Sequence, residues 1–112
     1  MSDRIIRTDK YTPHAKEPGV FLKHFFSSAD NDRLNNFELR IDPGCGISPH
    51  VHEAATEFFY VISGTGEVLL NGEWQVLQPG DALKATTGNE HGFRNRTDEP
   101  MLLYALFSPP VR

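Results

Sequence analysis

The sequence predicts an all-β fold, a sandwich or barrel of short strands, and three observations lead there. No segment longer than ten residues keeps a helical period free of Gly or Pro. Turn-forming clusters rich in Gly, Pro, Asn, Asp and Ser recur about every eight to twelve residues. Between them lie runs in which apolar and polar residues alternate, or in which β-branched and aromatic residues dominate.

The chain opens with an arm, residues 1–19, in which the apolar pair Ile5-Ile6 precedes the polar segment KYTPHAKEPG. The arm reads as an edge strand or extended lead followed by loop, with His14 a solvated loop residue. Residues 20–26 (VFLKHFF) form a strand, closed by the turn formers of SSADND; His24 alternates with Phe25 and is expected on a strand face without a metal. In residues 34–41, Leu34, Phe37, Leu39 and Ile41 alternate with Glu38 and Arg40, the mark of a half-buried strand. Asp42-Pro43-Gly44 turns the chain into GCGISPHVHEAATEFFYVISG, residues 44–64. Here His50 and His52 stand two apart, a spacing that sends both imidazoles to one face of an extended strand. Glu57 then opens the run Phe58 to Ile62, and Ser63-Gly64-Thr65-Gly66 reverses the chain.

Residues 66–71 return as the second arm of a hairpin, and Asn71-Gly72 supplies the positive φ that a tight turn needs. Strands follow at 74–77 and 82–87, separated by Gln78-Pro79-Gly80-Asp81. After Gly88-Asn89-Glu90, His91 opens the segment HGFRN; Thr97-Asp98-Glu99-Pro100 turns again before the last strand, MLLYALF at 101–107.

Composition narrows the function. At 112 residues, with no internal repeat or linker, residues 1–112 read as one domain carrying the 1–19 arm. Net charge is −4 without a basic stripe, which argues against nucleic acid as a partner. The apolar runs at 58–62 and 101–107 are far too short to span a bilayer, so no membrane partner is expected. The charged start MSDRIIRTDK has no apolar signal core, which makes a cytoplasmic location the expectation. Cys45, the one cysteine, forms no internal disulfide and no cysteine-built zinc site; it reads as a small loop residue.

The chemistry concentrates in four residues. Two imidazoles from His50 and His52 and the carboxylate of Glu57 offer the nitrogen and oxygen donors that a divalent transition metal takes. Glu53 competes for the carboxylate role, but directly after His52 it faces away if the strand continues, whereas Glu57 begins the partner strand. His91 supplies a fourth donor.

These residues carry a family resemblance. Gly44, His50, His52, Glu57 and Gly64 meet the pattern G-x5-H-x-H-x4-E-x6-G at every defined position. Gly80, Gly88, His91 and Asn95 meet G-x5-P-x-G-x2-H-x3-N, with Thr86 where the proline stands. In both motifs and their spacer the sequence resembles the cupin superfamily, small single-domain members in particular. The resemblance implies a double-stranded β-helix, a jelly-roll-like barrel with a metal near one mouth. It implies His50, His52, Glu57 and His91 as metal ligands and Asn95 as a loop support. The cofactor is then a divalent ion, with iron, manganese, nickel, cobalt and zinc all admissible.

Around that centre, Phe59, Val61 and Phe93 are expected to form an apolar pocket wall, and Arg40 or Arg94 to offer a guanidinium to an anionic substrate. Strand parity with Glu57 places Phe59 and Val61 inward and Phe58, Tyr60 and Ile62 outward. In the last strand the same parity separates Met101, Leu103, Ala105 and Phe107 from Leu102, Tyr104 and Leu106. The outward set is apolar, which predicts a homodimer, with Ile5-Ile6 crossing between subunits, or else loops of the same chain as its cover. The function expected is a metal-dependent enzyme, a dioxygenase or an isomerase/lyase, acting on a small oxygen-bearing organic molecule. The alternative is a metal-bearing ligand-binding or sensor module without turnover.

Overall fold

Two strands, Asn35–Ile41 and Met101–Ser108, alternate buried and partly buried residues along most of their length, and they pair antiparallel at the heart of the larger sheet. The computed structural model describes residues 5–52, 54–85 and 88–110. Among these, every regular element is a strand. In chain order they are β1 (Thr12–Pro13), β2 (Val20–Phe26), β3 (Asn35–Ile41), β4 (Gly46–His50), β5 (Thr56–Ser63), β6 (Gly66–Leu70), β7 (Glu73–Leu77), β8 (Ala82–Ala85), β9 (His91–Arg94) and β10 (Met101–Ser108).

One sheet runs β1-β2-β3-β10-β5-β8 and the other β4-β9-β6-β7, all pairs antiparallel. Both sheets contribute to one core: Val20, Phe37, Leu39, Phe59, Val61, Leu103 and Phe107 from the first, Val68, Leu77 and Phe93 from the second. Parity explains this packing, because side chains two apart on a strand share a face. On β5, Glu57, Phe59 and Val61 are buried while Tyr60 and Ile62 are exposed. On β10, Met101, Leu103, Ala105 and Phe107 are buried and Leu102, Tyr104 and Leu106 only partly so.

Two turns need their glycines. Asn71 (φ 52°) and Gly72 (φ 79°) join β6 to β7 by a two-residue turn with both central residues left-handed, the type I′ geometry. Gly64 (φ 78°) follows β5, and a Cβ there would collide with the Pro100 carbonyl oxygen, so the turn is both left-handed and tightly packed. Buried Asn95 organises the turn after β9. Its amide nitrogen donates to the carbonyls of Ile41 (3.0 Å) and Glu99 (2.7 Å), and its oxygen accepts from Thr97 N (3.0 Å) and Oγ1 (2.7 Å).

Several expectations change. The first strand lies at Thr12–Pro13, inside the segment read as loop, and Ile5-Ile6 is exposed and unpaired with any sheet. β4 ends at His50, so His50 and His52 do not share a strand. Pro49 lacks an N–H, which suits the edge position of β4, and the β4–β9 register shifts between Ile47 and His50. His14 lies in a loop and is partly buried, its Nδ1 accepting from the backbone N–H of Lys16 (3.0 Å) and Glu17 (3.1 Å). Glu53 and Thr86 lie outside the described residues. No helix among the described residues is long and apolar enough to cross a membrane.

Candidate metal centre

Donors from both sheets meet at one end of the core. Glu57 comes from β5 in the six-stranded sheet, His91 from the start of β9 in the other, and His50 from the end of β4. His50 and His91 are directly paired across the β4–β9 ladder, which sets their rings 4.5 Å apart between centroids. One donor atom from each of His50, Glu57 and His91 lies within 4.8 Å of the others. His52 stands on the rim of this group. Its ring is 4.7 Å from that of His50, and its Nε2 is 3.9 Å from Glu57 Oε1. The Gly88 N–H donates to the His52 carbonyl (3.1 Å) and so ties this residue to the turn before β9.

Backbone carbonyls orient two of the rings. His50 Nδ1 lies 2.8 Å from the Ser48 carbonyl and His91 Nδ1 3.1 Å from that of Asn89. A carbonyl only accepts, so in both rings Nδ1 carries the hydrogen and the neutral imidazole keeps its lone pair on Nε2. His91 Nε2 then points at Glu57 Oε1, 3.2 Å away, with the two residues 1% and 2% exposed. A lone pair facing a carboxylate repels it, so a positive species, a proton or a metal ion, belongs at this contact. The proton version shows in the acidities. Burial pushes His91 down, but the Glu57 hydrogen bond, the Asn89 carbonyl and the Glu57 charge together outweigh it and hold the imidazole above its ordinary value. His52 goes the other way: burial lowers it despite the pull of Glu57, and the neighbouring His50 and His91 add to the lowering.

The donor set suits a metal on chemical grounds as well. Among the described residues, the ion-pair partners of the Glu57 carboxylate are the His91 and His52 imidazoles, with no Lys or Arg. A buried carboxylate with no Lys or Arg beside it is costly unless a cation neutralises it. Two donors that share one ion at about 2.0–2.1 Å stand about 2.8–3.4 Å apart for octahedral to tetrahedral angles. The His91–Glu57 separation of 3.2 Å falls in that range.

The centre opens into a cleft of about 750 Å³ that His50, His52 and Glu57 line at one end. Phe59, Phe93 and Phe107 form its inner wall, with Phe59 edge-on to Phe93 at 4.9 Å and to Phe107 at 5.9 Å. Of the residues predicted for the pocket, Phe59 and Phe93 line the cleft. Val61 does not: it lies two residues further along β5, fully buried in the core. Arg40 does not either. It projects from the opposite face of β3, stacked over the Tyr11 and Phe21 rings and paired with Asp42 at 3.1 Å. Arg94 is likewise engaged elsewhere, over the Trp74 ring and in two hydrogen bonds to Glu67.

The arm closes the cleft, a role that local sequence does not reveal. β1 pairs with β2 through Thr12–Leu22 and Pro13–Phe21, after which residues 14–17 cross toward β4. There the Glu17 carboxylate accepts from Ser48 N (3.1 Å) and Ser48 Oγ (3.4 Å). On the outer side of the sheet, Tyr11 OH donates to Glu38 (2.8 Å), which also pairs with Lys23 (3.1 Å). His14, Lys16 and His24 therefore border the cleft. The β1–β2 register brings His14 and Lys16 there and the β2–β3 register brings His24, both non-local facts.

Known proteins resemble this chain in sequence and in fold. The chain is 39% identical to the polyketide synthase CurC of Streptomyces cyaneus over 97% of its own length and 71% of that protein. It is 36% identical to the pectin degradation protein KdgF of Dickeya dadantii, over 55% of this chain and little more than half (56%) of the relative. The solved structure of KdgF from Halomonas sp. superposes with a TM-score of 0.79 at 31% identity, covering 91% of this chain and 87% of that one. The Cupin domain family matches residues 37–107, a span that contains all four candidate donors. With a double-stranded β-helix around them, this chain belongs to the cupin family.

Proposed function

We propose that this chain is a metal-dependent enzyme acting on a small oxygen-bearing organic molecule, with His50, His52, Glu57 and His91 as the ligands of a divalent transition metal. The observation that carries the reading is the buried His91–Glu57 contact, 3.2 Å long and in need of a cation, at the end of an aromatic-walled cleft. A divalent ion bound there supplies a Lewis acid that polarises a chelated carbonyl or enol. The protein's own contribution is orientation and exclusion of water. Ser48 and Asn89 fix the His50 and His91 tautomers, and the Phe59, Phe93 and Phe107 rings present an apolar wall to the ligand.

Isomerase/lyase chemistry is favoured over dioxygenase chemistry by the relatives, which are named for pectin degradation and polyketide synthesis. Both concern carbon chains dense in carbonyl and hydroxyl oxygens. The test is metal analysis of the purified protein followed by NMR in D2O with a panel of hydroxyketones, uronates and 1,3-diketones. We expect about one divalent ion per chain, and metal-dependent exchange or conversion without oxygen uptake. Oxygen uptake would move the assignment to a dioxygenase, and a chain that takes up no ion would defeat the reading.

A binding module without turnover is the second reading. It is favoured by the wall beside the donors, where the rings that pack on His52 and His91 from outside the donor set are phenylalanines, which carry no acid or base. Saturable ligand binding to the metal-loaded protein with no product would select it.

We also infer a homodimer built on the outer face of the six-stranded sheet. Phe58, Tyr60 and Ile62 of β5 lie beside Leu102, Tyr104 and Leu106 of β10, and Tyr60 and Ile62 are 42% and 45% exposed. Self-association buries this strip.

A further inference from the structure

The cleft holds a second polar position, distant from the donors. His24 on β2 borders it and is exposed. Its ring packs against that of Phe37, 5.7 Å between centroids, and among the described residues neither nitrogen makes a side-chain hydrogen bond, so both are open to the cleft. Most other polar side chains along the arm side are already engaged. Thr12 Oγ1 donates to the Leu22 carbonyl, His14 Nδ1 accepts two backbone N–H groups, and Glu17 holds Ser48. The exposed Lys16 ammonium adds positive charge to this same border.

Sheet register fixes the distance to be spanned. His24 pairs with Phe37, which continues through Ala105 to Phe59, two residues along β5 from Glu57. Three ladder steps and two residues of rise separate the backbones of His24 and Glu57 by roughly 15 Å. The surface between them is aromatic. Phe37 packs edge-on against Phe107 at 5.3 Å, and Phe107 against Phe59 at 5.9 Å. A two-carbon acid cannot touch both ends of such a cleft, whereas a flat ring with a side chain can.

We propose that His24 is a ligand-binding residue that donates to an anionic oxygen at the far end of an elongated, planar molecule whose near end carries the oxygens that meet the donor cluster. The ligand class is thus an aromatic or enolised ring bearing chelating oxygens on one side and a carboxylate opposite. This rests on the metal-centre reading above, and the experiment separates the two. Calorimetry on the zinc-loaded protein compares catechol with caffeate, which adds a rigid acrylate to the same chelating ring. Wild-type protein is expected to bind caffeate about ten-fold more tightly than catechol, the scale of one charge-assisted hydrogen bond. His24→Ala removes that gain and leaves catechol affinity unchanged, and His24→Gln, which keeps an N–H donor, retains part of it. Equal affinities in the wild type, a gain that survives His24→Ala, or an equal loss of both probes in that variant overturns the assignment. Failure of catechol itself to bind brings down the metal centre, and the role of His24 with it.

Discussion

Glu57 Oε1 lies 3.2 Å from His91 Nε2, and both side chains are sealed from solvent. The contact joins the two sheets and sets the first expectation. Glu57→Gln keeps the shape but removes the charge, so metal affinity falls at least ten- to hundred-fold. His91→Ala does the same. Metal content of the purified variants measures the loss, and an unchanged stoichiometry in Glu57→Gln contradicts the assignment.

Ion binding is also folding energy. At one hundred times its dissociation constant, a bound metal adds about 2.7 kcal/mol of stability, provided the unfolded chain does not bind it. Urea unfolding with and without a chelator is expected to show that difference in the wild type and about 0.4–1.4 kcal/mol or less in Glu57→Gln.

Tyr11 is pushed up to about 12, first by burial and then by the hydrogen bond and charge of Glu38. In the unfolded chain it titrates near the ordinary tyrosine value of about 10. Its contribution to stability is therefore complete below about pH 10 and declines as the pH rises toward 12, because the unfolded state loses the proton first. Tyr11→Phe removes this alkaline slope and lowers stability at neutral pH by about 1 kcal/mol. Denaturant curves at pH 8 and pH 11 for both proteins test it; parallel losses in the two exclude Tyr11 as the source.

Gly64 and Gly72 share nearly the same positive φ, 78° and 79°, but differ in surroundings. A Cβ at Gly72 meets nothing within 4 Å, whereas one at Gly64 runs into the Pro100 backbone. Gly72→Ala is expected to cost about 1 kcal/mol of strain, and Gly64→Ala to cost about 1–3 kcal/mol more. Equal unfolding midpoints would remove the role given to the Pro100 contact.

The outer strip is tested by one charge. Ile62→Glu places a carboxylate at the proposed interface, and light scattering is expected to show the dimer mass halved while the far-ultraviolet spectrum stays unchanged. A wild-type monomer at micromolar concentration ends the proposal.

Much of this molecule is legible in its sequence because strand parity is a local property. The alternation through residues 57–62 and 101–107 sorts inner from outer side chains one by one, and Asn71-Gly72 marks its hairpin by chemistry alone. The same alternation, Leu39 and Ile41 against Arg40, already assigns Arg40 to the outer face, and the cleft has no access to it. What sequence does not show is non-local. β4 stops at His50, so His52 approaches the others through a loop held by Gly88, not through the period of a strand. The placement of His14 and Lys16 around the cleft depends on the pairing of β1 with β2, and a two-residue strand containing Pro13 leaves almost no pattern to read.

The clasp between Glu17 and Ser48 has a wider consequence. It fastens a wall that supplies none of the four candidate donors and only two residues of β-ladder. Residues 14–17 can thus vary in side chain without displacing any of the four candidate donors. The lip that meets a ligand and the floor that would hold an ion are thus built from separate stretches of the chain.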